Sequence, residues 1–142
     1  MSSDKPPTNS SDADAGEVFD TSGVEYLPKG SLNPLKAEWP GMRSRWIFPP
    51  TKGGWSTFAL GEWELEKAAW TDLHHHDEIA VVVEGELHVT VDGKTVIARP
   101  GDTVRAKAGH LGHYAAPEYA RMIAIYGPNA GDADEAFGYQ EL

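Results

Sequence analysis

Residues 74–85 read HHHDEIAVVVEG, and this stretch decides the fold. Its second half is an apolar, mostly β-branched run closed by a glycine, which is typical of a short buried strand. Three consecutive histidines and two acidic residues come directly before that run. Residues two apart on a strand point to the same side, so we expect His74 and His76 to face one ion while His75 faces away. The stretch therefore predicts a strand beside a divalent metal site.

Similar short runs recur at intervals of roughly ten residues from Trp55 onward. They are WSTFAL, EWELE, LHVTV, TVIA, TVRA and RMIAIY, and glycine-containing turn signals separate them. The clearest turn signal is Asp92-Gly93, because a two-residue hairpin of the primed type needs residues that tolerate positive φ. Regularly spaced short strands predict an all-β sandwich or barrel. Helix is expected for a turn or two at most, near residues 133–137.

Composition divides the chain into four segments. Residues 1–17 are mostly polar and acidic, which predicts a disordered N-terminal tail. Residues 18–50 are rich in Trp and Pro and are expected to form an irregular arm, packed along the domain or across the interface of a homodimer. Residues 51–128 are the predicted barrel, and residues 129–142 a second acidic tail.

Bulk composition excludes several classes of function. The chain has 142 residues, enough for one domain, and a formal net charge of -10 at pH 7. Its excess acids lie in the tails and its Lys and Arg are not clustered, so a nucleic-acid partner is not expected. The sequence lacks a membrane-length apolar run and the basic-then-apolar order of a signal peptide, so we expect a cytoplasmic protein without a membrane partner. Without cysteine, a metal must be bound by histidine and carboxylate.

A second histidine group, His110 and His113, follows some forty residues later, after an Ala-Gly turn signal. Neighbouring strands lie only about 5 Å apart, so two ligands from one strand and a third from a distant strand can close a metal site. We therefore expect His113 to be the third ligand. His88 alternates with apolar residues in LHVTV, which predicts an outward, structural histidine.

The first histidine stretch resembles the first motif of the cupin superfamily, in which an HxH pair precedes a Glu followed by six residues and a Gly. Glu78, the run IAVVVE and Gly85 match the second half of that motif. The family has three or four residues between the second His and the Glu, a spacing that would place Asp72 and His74, rather than His74 and His76, at the ligand positions. The resemblance implies a single-domain cupin double-stranded β-helix, a jelly-roll barrel.

The second cupin motif is also similar, although His113 lies one residue beyond the family position, where Gly112 stands. A bulge near residues 110–112 is expected to restore the direction of His113. Three histidines are the expected ligands: His74, His76 and His113. Three residues are left as alternatives for the remaining position: Glu78, His110 and Asp72.

A narrower resemblance connects the Trp-rich arm, the histidine-dense site and the ending ARMIAIYGPNAG with small cupin polyketide cyclases of bacterial aromatic polyketide pathways, of the tetracenomycin and resistomycin kind. It implies aldol ring closure of a poly-β-ketone in antibiotic biosynthesis, with one divalent ion, zinc favoured and iron(II) or nickel possible. Such an ion polarises a carbonyl oxygen. Glu78, if it is not a ligand, is the expected base. The expected residues for binding an aromatic or polyketide substrate are Trp63, Arg105, Tyr114 and Tyr126.

Two alternatives stay open. An iron(II)-dependent dioxygenase of a phenolic or flavonol-like substrate needs the same histidine and carboxylate ligands. A cupin without catalytic activity that binds a small ligand is the second. A reaction that depends on oxygen would indicate the dioxygenase. Turnover of a pathway substrate would exclude the cupin without catalytic activity.

Overall fold

The computed structural model describes residues 19–21, 23–129 and 136–142, so the tail predicted for residues 1–17 lies outside the described residues. The chain forms two compact units, Met1–Ser31 and Leu32–Leu142. In the first unit, strands β1 (Phe19–Thr21) and β2 (Val24–Tyr26) pair antiparallel. The second unit carries the barrel and every residue of the candidate site.

The described part of the second unit contains nine strands. They are β3 (Asn33–Pro34), β4 (Met42–Phe48), β5 (Ala59–Leu73), β6 (Glu78–Gly85), β7 (Leu87–Val91), β8 (Lys94–Ala98), β9 (Thr103–Ala106), β10 (Leu111–Tyr126) and β11 (Ala136–Glu141). Among the described residues no helix occurs, and so none that could cross a membrane. The all-β prediction is confirmed.

The two long strands, β5 and β10, pair with each other and are shared by two layers. In the first layer, one half of each long strand takes part in the order β3-β4-β5-β10-β6-β9. In the second layer, the other half of β5 pairs with β11, and the other half of β10 pairs with β7, which also pairs with β8. The pairing changes register between Ala116 and Tyr119, opposite Lys67, which has φ 47°. Such a bulge bends both strands, and the sheet closes into a jelly roll.

Alternation along the strands places the core between the two layers. Trp63 and Leu65 on β5 and Met122 on β10 point inward and are almost fully buried. The β7–β8 hairpin turns at Asp92-Gly93, with φ of 51° and 77°, which confirms the predicted two-residue turn.

The outer face of the first layer is covered by ion pairs. Glu62 accepts from Arg45 Nε at 2.7 Å and from Arg121 Nη1 at 2.6 Å, which joins β4, β5 and β10. Burial raises the pKa of Glu62, but the two arginines outweigh it and hold this pKa below its ordinary value. Arg43 is paired with Glu64 at 2.6 Å in the same way. These arginines therefore stabilise the sheet.

The structure differs from the expected segment boundaries at both ends of the barrel. Residues 42–48, expected in the irregular arm, form β4 and pair with β5, because their alternating arginines meet the glutamates of that strand. Residues 136–141, expected in an acidic tail, form β11, whose Tyr139 accepts a hydrogen bond from Gly41 N at 2.9 Å. Trp39 stacks on Tyr139, with 5.6 Å between ring centroids, whereas Trp46 is half exposed.

Candidate metal centre

Three side chains of metal-ligand type converge where β5 ends and β6 begins. One ligand atom from each of Asp72, His74 and Glu78 lies within 4.8 Å of the others. His74 Nε2 is 3.0 Å from Asp72 Oδ2 and 3.4 Å from Glu78 Oε1. Both carboxylates are buried. This is the set given by the family spacing, with Asp72 in place of a histidine.

The surrounding backbone holds this cluster in place. Trp70 Nε1 donates to Asp72 Oδ2 at 2.9 Å and fixes the carboxylate. The connection between β5 and β6 is tied down because His74 O accepts from Gly109 N at 2.8 Å and Asp77 Oδ1 accepts from Ala108 N at 2.9 Å. Hydrogen bonds from Trp70 and from the backbone of residues 108–109 therefore hold the cluster in place.

Burial dominates the electrostatics of the cluster. It raises the pKa of Glu78 to about 7. The negative charge of Asp72 raises this pKa further, and His74 lowers it only in part. Burial also raises the pKa of the Tyr114 phenol, with Glu78 and Asp72 as the neighbouring charges.

The residues present fit a divalent ion. Glu78 is buried, with His74 Nε2 3.4 Å from its Oε1 and the Tyr114 hydroxyl group as a second hydrogen-bonding neighbour. Two carboxylates and one imidazole are ligands that Zn²⁺, Fe²⁺ and Mn²⁺ all accept. A cation held between the three side chains would neutralise the two acidic groups that share this small space.

His76, an expected ligand, lies beside the cluster. Because β5 ends at Leu73, the histidines stand in the connection to β6 and not on a strand. The rings of His74 and His76 are stacked, with 4.6 Å between centroids, and His76 Nδ1 is 3.1 Å from Asp77 O. His76 is 5% exposed and lines the cavity described below, while His75 is exposed.

His113 and His110, expected as ligands, point elsewhere. Residues 111–116 of β10 pair with β5 without interruption, so the expected bulge is absent from this part of the described chain and His113 faces outward, opposite Thr71. Its Nδ1 is 2.9 Å from Thr71 Oγ1. His110 is exposed and contacts Asp92 Oδ2 at 2.8 Å. His88 also faces outward, as expected, and contacts Glu86.

A cavity of about 380 Å3 adjoins the cluster. Its polar lining includes Asp72, His74 and His76, together with Ser44, Arg45, Glu62 and Asn129. Six aromatic residues also line it: Trp46, Trp55, Trp63, Trp70, Tyr126 and Phe137. Of the expected substrate-binding residues, Trp63 and Tyr126 line this cavity.

The other two expected substrate-binding residues lie outside the cavity wall. Tyr114 is buried beside Glu78. Arg105 lies at an outward-facing position of β9 and is exposed. Trp70 and Asp72 point inward because the burial pattern of β5 shifts by one position at Lys67, and no local feature of the sequence marks that shift. The sequence signal for Asp72 is the family spacing of the first motif.

The two-layered barrel and its buried carboxylate–imidazole cluster define a cupin-type jelly roll. The family model described as Cupin domain matches residues 61–126. No curated protein sequence matches this chain.

Solved structures show the same fold. A protein described as ethanolamine utilization protein Q from Salmonella typhimurium LT2 is 24% identical, with TM-score 0.65, over 78% of this chain and 92% of that one. The EutQ protein of Clostridium difficile is 24% identical, with TM-score 0.61, over 77% and 90%. Ectoine synthase from P. lautus is 22% identical, with TM-score 0.53, over 62% and 64%. At such identities the likeness shows the fold alone, a fold that carries enzymes as well as other proteins.

Proposed function

We propose that this chain is a divalent-metal-dependent enzyme that removes a proton next to a carbonyl group of a small, flat substrate. Aldol ring closure of a poly-β-ketone is the reaction of this kind that the likeness to polyketide cyclases indicates. The observation that carries the proposal is the convergence of Asp72, His74 and Glu78 beside an aromatic cavity.

Asp72, His74 and Glu78 would hold the ion in this proposal. When bound there, a divalent ion supplies a Lewis acid for the carbonyl oxygen of the substrate. Zinc is expected from a nitrogen-rich site, but this cluster has a single imidazole. With two carboxylates in the cluster, Mn²⁺ and Fe²⁺ are expected to bind as well as Zn²⁺.

The aromatic wall would bind the substrate. Trp46, Trp55 and Tyr126 present ring faces and edges around His74 and His76. Flat, apolar molecules stack on such rings, and their binding expels water from the cavity. Trp46 is half exposed, so the substrate enters past its ring.

His76 is the proposed proton acceptor. The carbonyl oxygen of Asp77 can only accept, so the 3.1 Å contact places a proton on His76 Nδ1 and leaves the lone pair on Nε2. Trp55 and Tyr126 pack edge-on to the ring, at 5.3 and 5.7 Å, and fix its plane. Glu78, expected to be the base, is assigned here to the ion.

Metal content tests the first part of the proposal. Purified protein, and variants with one substitution each, would be dialysed against Mn²⁺ or Zn²⁺ and analysed for bound metal. We expect one equivalent in the unaltered protein and a loss of affinity by orders of magnitude in His74→Ala and Asp72→Ala. His113→Ala and His110→Ala are the matched controls and should retain the metal. Retention by His74→Ala with loss by His113→Ala would overturn the assignment.

Proton removal can be measured without the natural substrate. Deuterium exchange into the central carbon of an aryl 1,3-diketone would be followed by NMR with metal-loaded and metal-free protein. We expect metal-dependent acceleration that falls by about 10²- to 10⁴-fold in His76→Gln. His75→Gln, on the exposed neighbour, is the control. Equal exchange by loaded and metal-free protein would contradict the proposal.

A further inference from the structure

Strand β6 carries apolar side chains on both of its faces. Ala80 and Val82 point into the core and are each 1% exposed, while the alternating Ile79 and Val81 point outward and are half-buried. Strand β7, in the other layer, has a histidine and a threonine at its outward positions. A strand that faces water on one side normally has polar residues there, whereas a strand covered on both sides is apolar throughout. The outer side of β6 is therefore expected to be covered.

Outward apolar side chains continue from β6 across the first layer. One row crosses β4, β5, β10 and β6 in register: Phe48, Leu60, Ile125 and Ile79. In the next row, Ile123 pairs with Val81, beside the ion pair of Arg45 and Glu62. Residues paired across strands lie on the same face of a sheet. The four residues of the first row, together with Ile123 and Val81, form an apolar patch.

The row on the other side of Ile123 is charged on all four strands. In the order β4, β5, β10 and β6 it consists of Arg43, Glu64, Arg121 and Glu84. Positive and negative side chains alternate along this row. A second copy of the row, laid against the first in reverse order, places a negative charge opposite every positive one. The face is thus complementary to itself in charge.

A two-fold axis parallel to the strands, midway between β5 and β10, produces this reversal. It also turns the apolar patch onto itself, with Leu60 of one copy against Ile125 of the other and Phe48 against Ile79. Two sheets pack face to face in this way about 10 Å apart, with their strands within about 30° of each other. Because each arginine of the charged row already has an acidic partner within the chain, little uncompensated charge would be buried.

The outer face of the first layer is also large enough for a dimer. It spans five neighbouring strands, β4, β5, β10, β6 and β9, of up to eight residues in this layer. With strands about 4.8 Å apart and a rise of about 3.3 Å per residue, the face measures roughly 20 by 25 Å. Side chains add accessible surface to this flat area of about 500 Å². Specific interfaces bury about 600–1,000 Å² per partner, so the face is comparable with one side of such an interface.

We propose that this face binds the same face of a second copy of the chain, so that the protein is a homodimer in which two first layers pack against each other. The irregular arm of residues 18–50 was the expected location of a homodimer interface. Of that arm, the proposed interface contains β4. The inference goes beyond the proposed function and does not depend on a bound metal.

The mass of the protein in solution tests the interface. Light scattering and sedimentation of the full chain at micromolar concentration should give twice the mass of one chain. Ile125→Glu places a charge in the apolar patch and two like charges close to the axis, so we expect the dimer dissociation constant to rise by about 100-fold or more. A monomeric unaltered protein, or a dimer of Ile125→Glu that is as tight as the unaltered one, would overturn the inference.

Val96→Glu is the matched control. Val96 is also aliphatic, and it is 50% exposed on β8 in the second layer. The same change of charge should leave the dimer intact there, and circular dichroism would show that both variants fold. Dissociation of Val96→Glu with a stable dimer of Ile125→Glu would place the interface on the second layer and overturn the inference.

A shorter chain that lacks residues 1–17 tests whether the N-terminal residues hold the copies together. It should have the same dimer mass as the full chain. A monomeric shorter chain would show that residues 1–17 form the interface instead, which would overturn the inference.

Cross-linking tests the arrangement and covers the case in which Ile125→Glu does not fold. The chain has no cysteine, so a double variant with Phe48→Cys and Ile79→Cys carries two thiols alone. Within one chain these positions are three strand spacings apart, about 14 Å, but across the proposed axis they face each other. A short bis-maleimide should therefore link two copies of the double variant. Each single variant is a control and should stay unlinked. Unlinked double variant, or equal linking of a single variant, would overturn the proposed packing.

Discussion

Gly85 closes β6 against the backbone of β10 and provides a sharp test of the barrel's packing. Its φ is +75°, and a Cβ there would lie 2.0 Å from the carbonyl oxygen of Tyr119. Glu86 N donates to that same oxygen at 2.9 Å. The obstacle is backbone on a strand paired along both edges, so Gly85→Ala must push β6 and β10 apart.

The expected loss of stability has two parts. An alanine at positive φ costs about 1–2 kcal/mol. Breaking the backbone hydrogen bond between Glu86 and Tyr119, two half-buried residues, costs about 0.5–1.5 kcal/mol more. Gly85→Ala should therefore lower the free energy of unfolding by about 1.5–3.5 kcal/mol, and the Tm by about 6–14 °C for a domain of this size.

Gly93→Ala is the control, because Gly93 has φ +77° and its added Cβ would meet no atom of the described chain within 4 Å. It should cost the backbone part alone, about 1–2 kcal/mol. Urea and thermal unfolding followed by circular dichroism would measure both variants. Equal losses in the two variants would refute the reasoning, since close approach of β6 and β10 would then contribute nothing.

Three further predictions concern the outer faces. Glu62→Gln should cost about 1–3 kcal/mol at pH 7, because it weakens two buried ion pairs. The lowered pKa of Glu62 means that its contribution is present above about pH 4.5 and is lost as pH falls through the folded value, so urea unfolding at pH 3 should show a smaller difference. His113→Ala should cost about 1 kcal/mol through its contact with Thr71, measured by urea unfolding. We also expect a homodimer; a monomer mass from light scattering at micromolar concentration would contradict it.

The strands and turns were predictable because they follow local rules. Period-two alternation marks LHVTV, and two residues of positive φ mark Asp92-Gly93. The segment 42–48 was assigned to the arm because prolines surround it, although its alternating arginines find their partners only in β5. That pairing joins residues far apart in the chain, which a local pattern does not reveal.

The candidate site could be predicted only in part, because it also depends on strand pairing between residues far apart in the chain. The family spacing offered Asp72 as an alternative, and the structure brings Asp72, His74 and Glu78 together. The direction of His113 depends on where β10 changes register. The change falls beyond Ala116 and not near residues 110–112, and a shift of one residue turns a side chain to the other face.

The sharing of β5 and β10 by both layers has a consequence for motion. Neither layer can separate from the other without bending or breaking these two strands, so the barrel has no hinge between its halves. Amide protons of both strands should exchange only through global unfolding. Asp72 and Tyr126 project from these strands into the cavity, so a ligand that binds there meets groups whose positions were fixed when the chain folded. Little conformational entropy then remains to be lost on binding.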